Sequence, residues 1–129
     1  MLSLPASMKI FVYTGVTDMR RSFDRLAQMV DEHLKQDPES GHLYLFFNRR
    51  RDCVKILLWE GDGFVNWYKR LVAGTFAVPA PATTSVAGAA TGGVQILARD
   101  LNLLLAGADP VRFTRRKRFE RPVSQNASA

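Results

Sequence analysis

Residues 43–71 read LYLFFNRRRDCVKILLWEGDGFVNWYKRL, from Leu43 to Leu71, and this stretch decides the fold. Three apolar or aromatic runs, 43–48, 53–59 and 64–71, are separated by two short polar turns. Glu60-Gly61-Asp62-Gly63 has the composition of a tight hairpin, because glycine adopts positive φ without steric cost. The three runs predict an antiparallel meander. Phe64, Trp67, Tyr68 and Leu71 also fit one face of a helix, and periodicity over so few residues does not separate the two. The strand is the reading adopted for 64–71.

Upstream, Lys9-Ile10-Phe11-Val12-Tyr13 is rich in β-branched and aromatic residues and predicts a further strand. Thr17 or Asp18 suits a helix N-cap, since either side chain accepts from free amides of a first turn. Met19, Phe23, Leu26, Val30 and Leu34 follow at spacings of four, three, four and four, the signature of one apolar face on a helix near residues 18–35. Asp37-Pro38-Glu39-Ser40-Gly41 closes it. Downstream, residues 79–93 are rich in Ala, Thr and Gly and read as a flexible linker or loop. Val94-Gln95-Ile96-Leu97 suggests another strand, and Asp100 to Ala106, followed by Gly107, a short helix with a glycine C-cap.

The fold class expected is α+β: a small, largely antiparallel sheet with one amphipathic helix packed on it, a short second helix and a basic C-terminal tail. With 129 residues and 47% apolar content, the chain supports a single core. One domain over 1–109 and a disordered tail over 110–129 are expected. Net charge is +6 and pI about 10.0, a balance that favours an anionic partner. Residues 1–109 hold 12 Lys/Arg against 11 Asp/Glu, and residues 110–129 hold 6 against 1, so a near-neutral body carries a basic tail.

The single cysteine, Cys53, excludes an internal disulfide and reads as a small buried hydrophobe. His33 and His42 have no metal-ligand spacing with it and read as surface histidines. Gly61-Asp62-Gly63 lacks the remainder of a phosphate-binding loop. No run approaches the length of a membrane span, and no signal peptide is evident, so a soluble, cytoplasmic protein without cofactor or metal is expected. Asp18, Asp52 and Asp62 are the only carboxylates weighed as a metal-dependent nuclease triad, and carboxylates at turns and caps are ordinary. The chain reads as no enzyme.

Its basic groups carry the functional reading. Arg49-Arg50-Arg51 occupies the first meander turn. Along the third run, alternation puts Trp67 and Lys69 on one side and Tyr68 and Arg70 on the other. Arg115-Arg116-Lys117-Arg118 suits a phosphate backbone and would bind without sequence preference.

Several blocks, in order, resemble the TnpB accessory protein family, the second open reading frame of insertion-sequence-66 transposons. They are Thr17-Asp18-Met19-Arg20-Arg21-Ser22-Phe23-Asp24 with Leu26; Asp37-Pro38 and Ser40-Gly41-His42-Leu43; Phe47-Asn48-Arg49-Arg50 with Lys55-Ile56-Leu57 and Trp59; and Asp62-Gly63-Phe64 with Trp67-Tyr68-Lys69-Arg70-Leu71. The resemblance covers roughly residues 1–79. It implies a non-catalytic helper of a separate DDE-type transposase, distinct from the larger RNA-guided nucleases that share the name TnpB. Thr75-Phe76-Ala77-Val78-Pro79 departs from the family pattern: it is uncharged, and Val78 stands where an aromatic residue is usual. Arg20, Arg21, Arg49, Arg50, Lys55, Lys69 and Arg70 are motif positions for contact with DNA or transposase, and Arg51, Trp67 and the 115–118 cluster join them on composition. The expectation is an accessory protein of DNA transposition that binds DNA, the transposase or both. Its alternative is a module that docks on the transposase without DNA contact. The sequence leaves the oligomeric state open.

Overall fold

The backbone of residues 43–47 meets apolar groups on both sides, and the rest of the architecture follows from that. In a computed structural model, which describes residues 5–79, 92–109 and 114–115, strand β2 (Leu43–Phe47) is buried at all five positions. Side chains alternate across a strand, so a run buried throughout needs cover on two faces. Leu43, Leu45 and Phe47 enter one core with Ile10, Val12, Val54, Ile56, Phe76, Leu101, Leu104 and Leu105. Tyr44 and Phe46 enter the other with Leu26, Met29, Val30, Leu34 and Leu57.

The sheet has five strands in the order β4-β3-β2-β1-β5: β1 (Ile10–Val16), β2, β3 (Cys53–Trp59), β4 (Phe64–Arg70) and β5 (Gly93–Ile96). The meander is antiparallel, with Phe46 opposite Lys55 and Ile56 opposite Trp67, and 64–70 is a strand. β1 and β2 run parallel, joined by a helical crossover, and β5 is antiparallel to β1. The fold is therefore α+β with a mostly antiparallel sheet and two helical elements. A register shift between Val12 and Val16 bulges β1, and there Thr14 donates from both its amide (2.9 Å) and its hydroxyl (2.8 Å) to the Gly92 carbonyl.

The crossover corrects the sequence expectation at its start. Helix α1 spans Phe23–Met29, and a π-helical turn continues it over Val30–Leu34. Asp18 caps no helix. Its carboxylate accepts the Arg20 amide at 2.9 Å, and its carbonyl accepts the Arg21 amide at 3.1 Å, which holds residues 18–21 in a turn. Phe23, expected in the apolar face, stands 42% exposed at the first helical position, and Met29 is buried instead. Lys35 ends the π turn with φ of 55°. Helix α2 (Ala98–Ala106) covers the opposite face of the sheet, a second layer absent from the sequence reading. Asp100 reaches back to accept the Leu97 amide at 3.1 Å, and Gly107 closes the helix with φ of 96°, where a side chain would be strained.

Two short strands follow, β6 (Ala108–Asp109) and β7 (Thr114–Arg115), paired with Ala108 opposite Arg115. Most of the expected 79–93 linker and of the 110–129 tail, including Arg116, Lys117 and Arg118, lies outside the described residues.

Candidate nucleic-acid interface

The parallel pairing of β1 with β2 decides where the arginines go. β1, β2 and β4 all finish at the same end of the sheet. The loop after β1 carries Arg20 and Arg21, the turn after β2 carries Arg49, Arg50 and Arg51, and β4 ends on Arg70. All six are exposed. Lys55, Lys69 and Arg25 lie within the same half of the domain, against Asp18, Asp24 and Asp52, and Asp109 follows α2 at that end. The other half holds Lys9, Lys35 and Arg99 against Asp31, Glu32, Asp37, Glu39, Glu60, Asp62 and Asp100. The near-neutral body is thus a dipole, basic at one end and acidic at the other.

The arginine turn is rigid at its backbone. Asn48 Oδ1 accepts the amides of Asp52 (3.1 Å) and Cys53 (3.0 Å), while Asn48 Nδ2 donates to Asp52 Oδ1 at 2.7 Å. The Arg51 carbonyl accepts the Phe76 amide at 2.7 Å, and the Asp52 carbonyl accepts the Leu71 amide at 2.8 Å. Arg51 sits at φ of 61°, a conformation that costs a side-chain-bearing residue energy and that these bonds impose. The Asn48 hydrogen bond holds the Asp52 carboxyl below its ordinary pKa, so it stays a charged acceptor. Arg49, Arg50 and Arg51 have no ion-pair partner among the described residues.

The remaining cations are less equal. Arg20 grips Asp18 through Nε and Nη2, the latter at 2.7 Å, and this holds the Asp18 carboxyl well below the usual carboxylate range. The Asp18 carboxylate thus offsets the charge of Arg20. Arg21 has no hydrogen-bonded or ion-paired side-chain partner among the described residues. It lines a shallow depression of about 430 Å³ with Asp18, Arg20, Ser22 and Arg25. Arg25, in the first turns of α1, is a cation that the sequence reading does not count among the site residues. Its guanidinium pairs with Glu32 at 3.1 Å.

Lys55 and Lys69 face opposite sides of the sheet. Lys55 Nζ donates to the Arg21 carbonyl at 2.9 Å and lies 5.4 Å from the centre of the Tyr68 ring, tying β3 to the loop before α1. Lys69 Nζ donates to the Leu105 carbonyl at 3.5 Å, near the end of α2. Tyr68 is 51% exposed, and its hydroxyl points to Cys53 Sγ at 3.6 Å, a contact that raises the phenol pKa. Trp67 is 39% exposed on the α2 side of β4, so the register separates it from Tyr68 as alternation requires. Of the tail cluster, only the backbone of Arg115 is placed, beside Ala108 and just after α2.

The three carboxylates weighed as a nuclease triad do not converge. Asp18 and Asp52 sit at the arginine end and Asp62 in the β3–β4 hairpin at the other. Among the described residues no group of His, Cys, Asp and Glu is arranged to hold a metal ion. Both histidines are surface residues, partly covered: His42 Nδ1 accepts the Lys9 amide at 2.9 Å, and His33 stacks on Tyr13 at 5.3 Å. No helix of the described residues is long and apolar enough to cross a membrane.

The structure defines a five-stranded α+β domain with six exposed arginines at one end of the sheet, of which Arg20 is paired with Asp18. The family described as IS66 Orf2 like protein matches residues 8–115, and the chain belongs to it. It is a transposition-associated accessory protein. Similar proteins occur in Sinorhizobium fredii (strain NBRC 101917 / NGR234). One, described as uncharacterized protein y4hO, is 34% identical over 109 residues, covering 84% of this chain and 88% of that protein. Another, described as uncharacterized protein y4jC, is 29% identical over 123 residues, covering 95% and 97%. No solved structure matches the chain.

Proposed function

We propose that the arginine end of the sheet grips the phosphate backbone of DNA and that the protein thereby helps its element's transposase to act on that DNA. The observation that carries this reading is the segregation of charge: six exposed arginines at one sheet end, with Asp18 and Asp52 tied internally by Arg20 and Asn48. Guanidinium groups suit phosphate, since their planar fork of donors matches its oxygens. A turn whose backbone is already fixed loses little entropy when its side chains engage. Contacts of this kind set position and affinity rather than sequence choice. Arg115, whose backbone lies just after α2, adds to the grip, as do the cations that follow it in the sequence. Lys55 and Lys69 act chiefly as braces, through their bonds to Arg21 and Leu105.

Fluorescence anisotropy with transposon-end and scrambled duplexes across a salt series tests this. Binding that weakens steeply with salt supports the phosphate grip, and tighter binding to the ends adds sequence recognition. No binding at low salt refutes it. A second reading, in which the protein docks on the transposase and never touches DNA, is favoured by the exposed apolar side chains of Val65, Trp67 and Val72, which suit a protein surface better than a phosphate. Co-purification of the two proteins after nuclease treatment, without DNA binding by this one, would establish it.

A further inference from the structure

β4 is the last strand of the sheet, and its outer edge is open among the described residues. The ladder shows which groups face outward. The Leu71 amide donates to the Asp52 carbonyl at 2.8 Å, and the Glu60 amide to the Gly63 carbonyl at 2.9 Å. Hydrogen-bonded pairs alternate along an antiparallel ladder, so Val65, Trp67 and Lys69 bond to β3. Phe64, Asn66, Tyr68 and Arg70 then aim their amides and carbonyls away from the sheet. A seven-residue edge with exposed Val65, Trp67 and Tyr68 is a template for another strand.

We propose that the strand is β4 of a second copy, paired antiparallel in a register centred on Trp67, so that one sheet runs through both molecules. The sequence of β4 is complementary to itself in this register. Phe64 faces Arg70, Val65 faces Lys69, Asn66 faces Tyr68, and Trp67 faces its own copy. Parallel pairing in register would set Lys69 on Lys69 and Arg70 on Arg70, whereas here each cation meets an apolar or aromatic side chain. Between copies the Trp67 pair is a non-hydrogen-bonded one, where opposing Cα atoms approach to about 4.5 Å and side chains touch. Charge on the larger scale agrees. The two-fold lays the Glu60–Asp62 end of each copy beside the partner copy's arginine end, so the two dipoles run opposed.

Sedimentation velocity of the full chain without DNA, from low to high micromolar, tests the proposal independently of any nucleic-acid binding. The wild-type chain is expected to associate reversibly to a dimer. Tyr68→Pro deletes an amide that only the second copy uses and leaves the backbone bonds to β3, losing only the Tyr68 ring's contacts with Cys53 Sγ and Lys55, so it should weaken the dimer roughly tenfold to a hundredfold. Trp67→Cys gives the opposite signature: under mild oxidant it should form a covalent dimer through the two position-67 thiols, because the Cα separation falls within disulfide range. The native Cys53 is buried and does not compete. A wild-type chain that stays monomeric throughout overturns the proposal. So does a dimer that Tyr68→Pro leaves unchanged, or one in which Trp67→Cys does not cross-link. Should Tyr68→Pro lose its folded near-ultraviolet circular dichroism, the cross-linking result decides alone.

Discussion

Replacing Arg49 and Arg50 together by alanine removes two guanidinium groups from a turn whose backbone does not need them. The bonds that hold the turn come from Asn48, Arg51 and Asp52 main-chain or side-chain atoms, not from either arginine side chain. Thermal stability is therefore expected to stay within about 0.5 kcal/mol of wild type, as for exposed surface substitutions generally. The effect on DNA is larger. Each phosphate neutralised contributes about 0.9 to the slope of log K against log salt, so five engaged arginines (21, 49, 50, 51 and 70) give a slope of roughly −4.5. Between 50 and 200 mM salt that slope weakens binding roughly 500-fold, and the double variant, at roughly −2.7, only about 40-fold. Tail cations steepen both slopes equally, so the difference of about 1.8 is the quantity to measure by anisotropy titration on one duplex at four or more salt concentrations. A slope unchanged within error, in a variant with an unaltered melting temperature, refutes the placement of these arginines on DNA.

Three further outcomes follow from the same geometry. Asn48→Ala removes acceptors from the Asp52 and Cys53 amides and a donor to the Asp52 carboxylate, and should cost about 1–3 kcal/mol in a denaturant titration. Because the folded pKa of Asp52 is depressed, its charge contributes stability that is present above the unfolded value of about 4 and is lost as pH falls through the folded one. Asp52→Asn should accordingly flatten the loss of melting temperature below about pH 4, and an unchanged acid limb counts against the Asn48–Asp52 bond. In the apolar layers, Leu26→Ala should cost about 2–5 kcal/mol, whereas Phe23→Ser, at a half-open position, should cost well under 1.5 kcal/mol; equal losses would place Phe23 in the core.

What the sequence showed and what it hid divide along range of interaction. The β3–β4 hairpin was readable from Glu60-Gly61-Asp62-Gly63, and α2 from its leucines and Gly107, because turn and cap chemistry are local. The start of α1 was misplaced by a local competition. The Asp18 side chain, well suited to an N-cap, bonds two residues on to Arg20, so the helix waits until Phe23. Cover on both faces had a signal that went unread, the unbroken apolar run Leu43–Phe47, since a strand with one wet face alternates. The motif arginines were visible as residue types, yet their meeting was not. It depends on β1 lying parallel to β2, a pairing set by the crossover and by no spacing in the chain. Trp67 and Tyr68 were correctly assigned to opposite sides because a period of two needs no tertiary knowledge.

The uneven placement of charge also bears on how an encounter proceeds. A body with almost no net charge but opposed ends experiences a torque in the field of a polyanion before any contact forms. On the proposed phosphate grip, it approaches with Arg49–Arg51 leading and Glu60–Asp62 trailing. More collisions then begin near the productive orientation; exchanging Glu60 and Asp62 for neutral residues raises the net charge and should quicken association while letting more encounters begin misoriented, with dissociation almost untouched. Under that proposal the acidic end, set away from the phosphates, acts as the vane that turns the molecule.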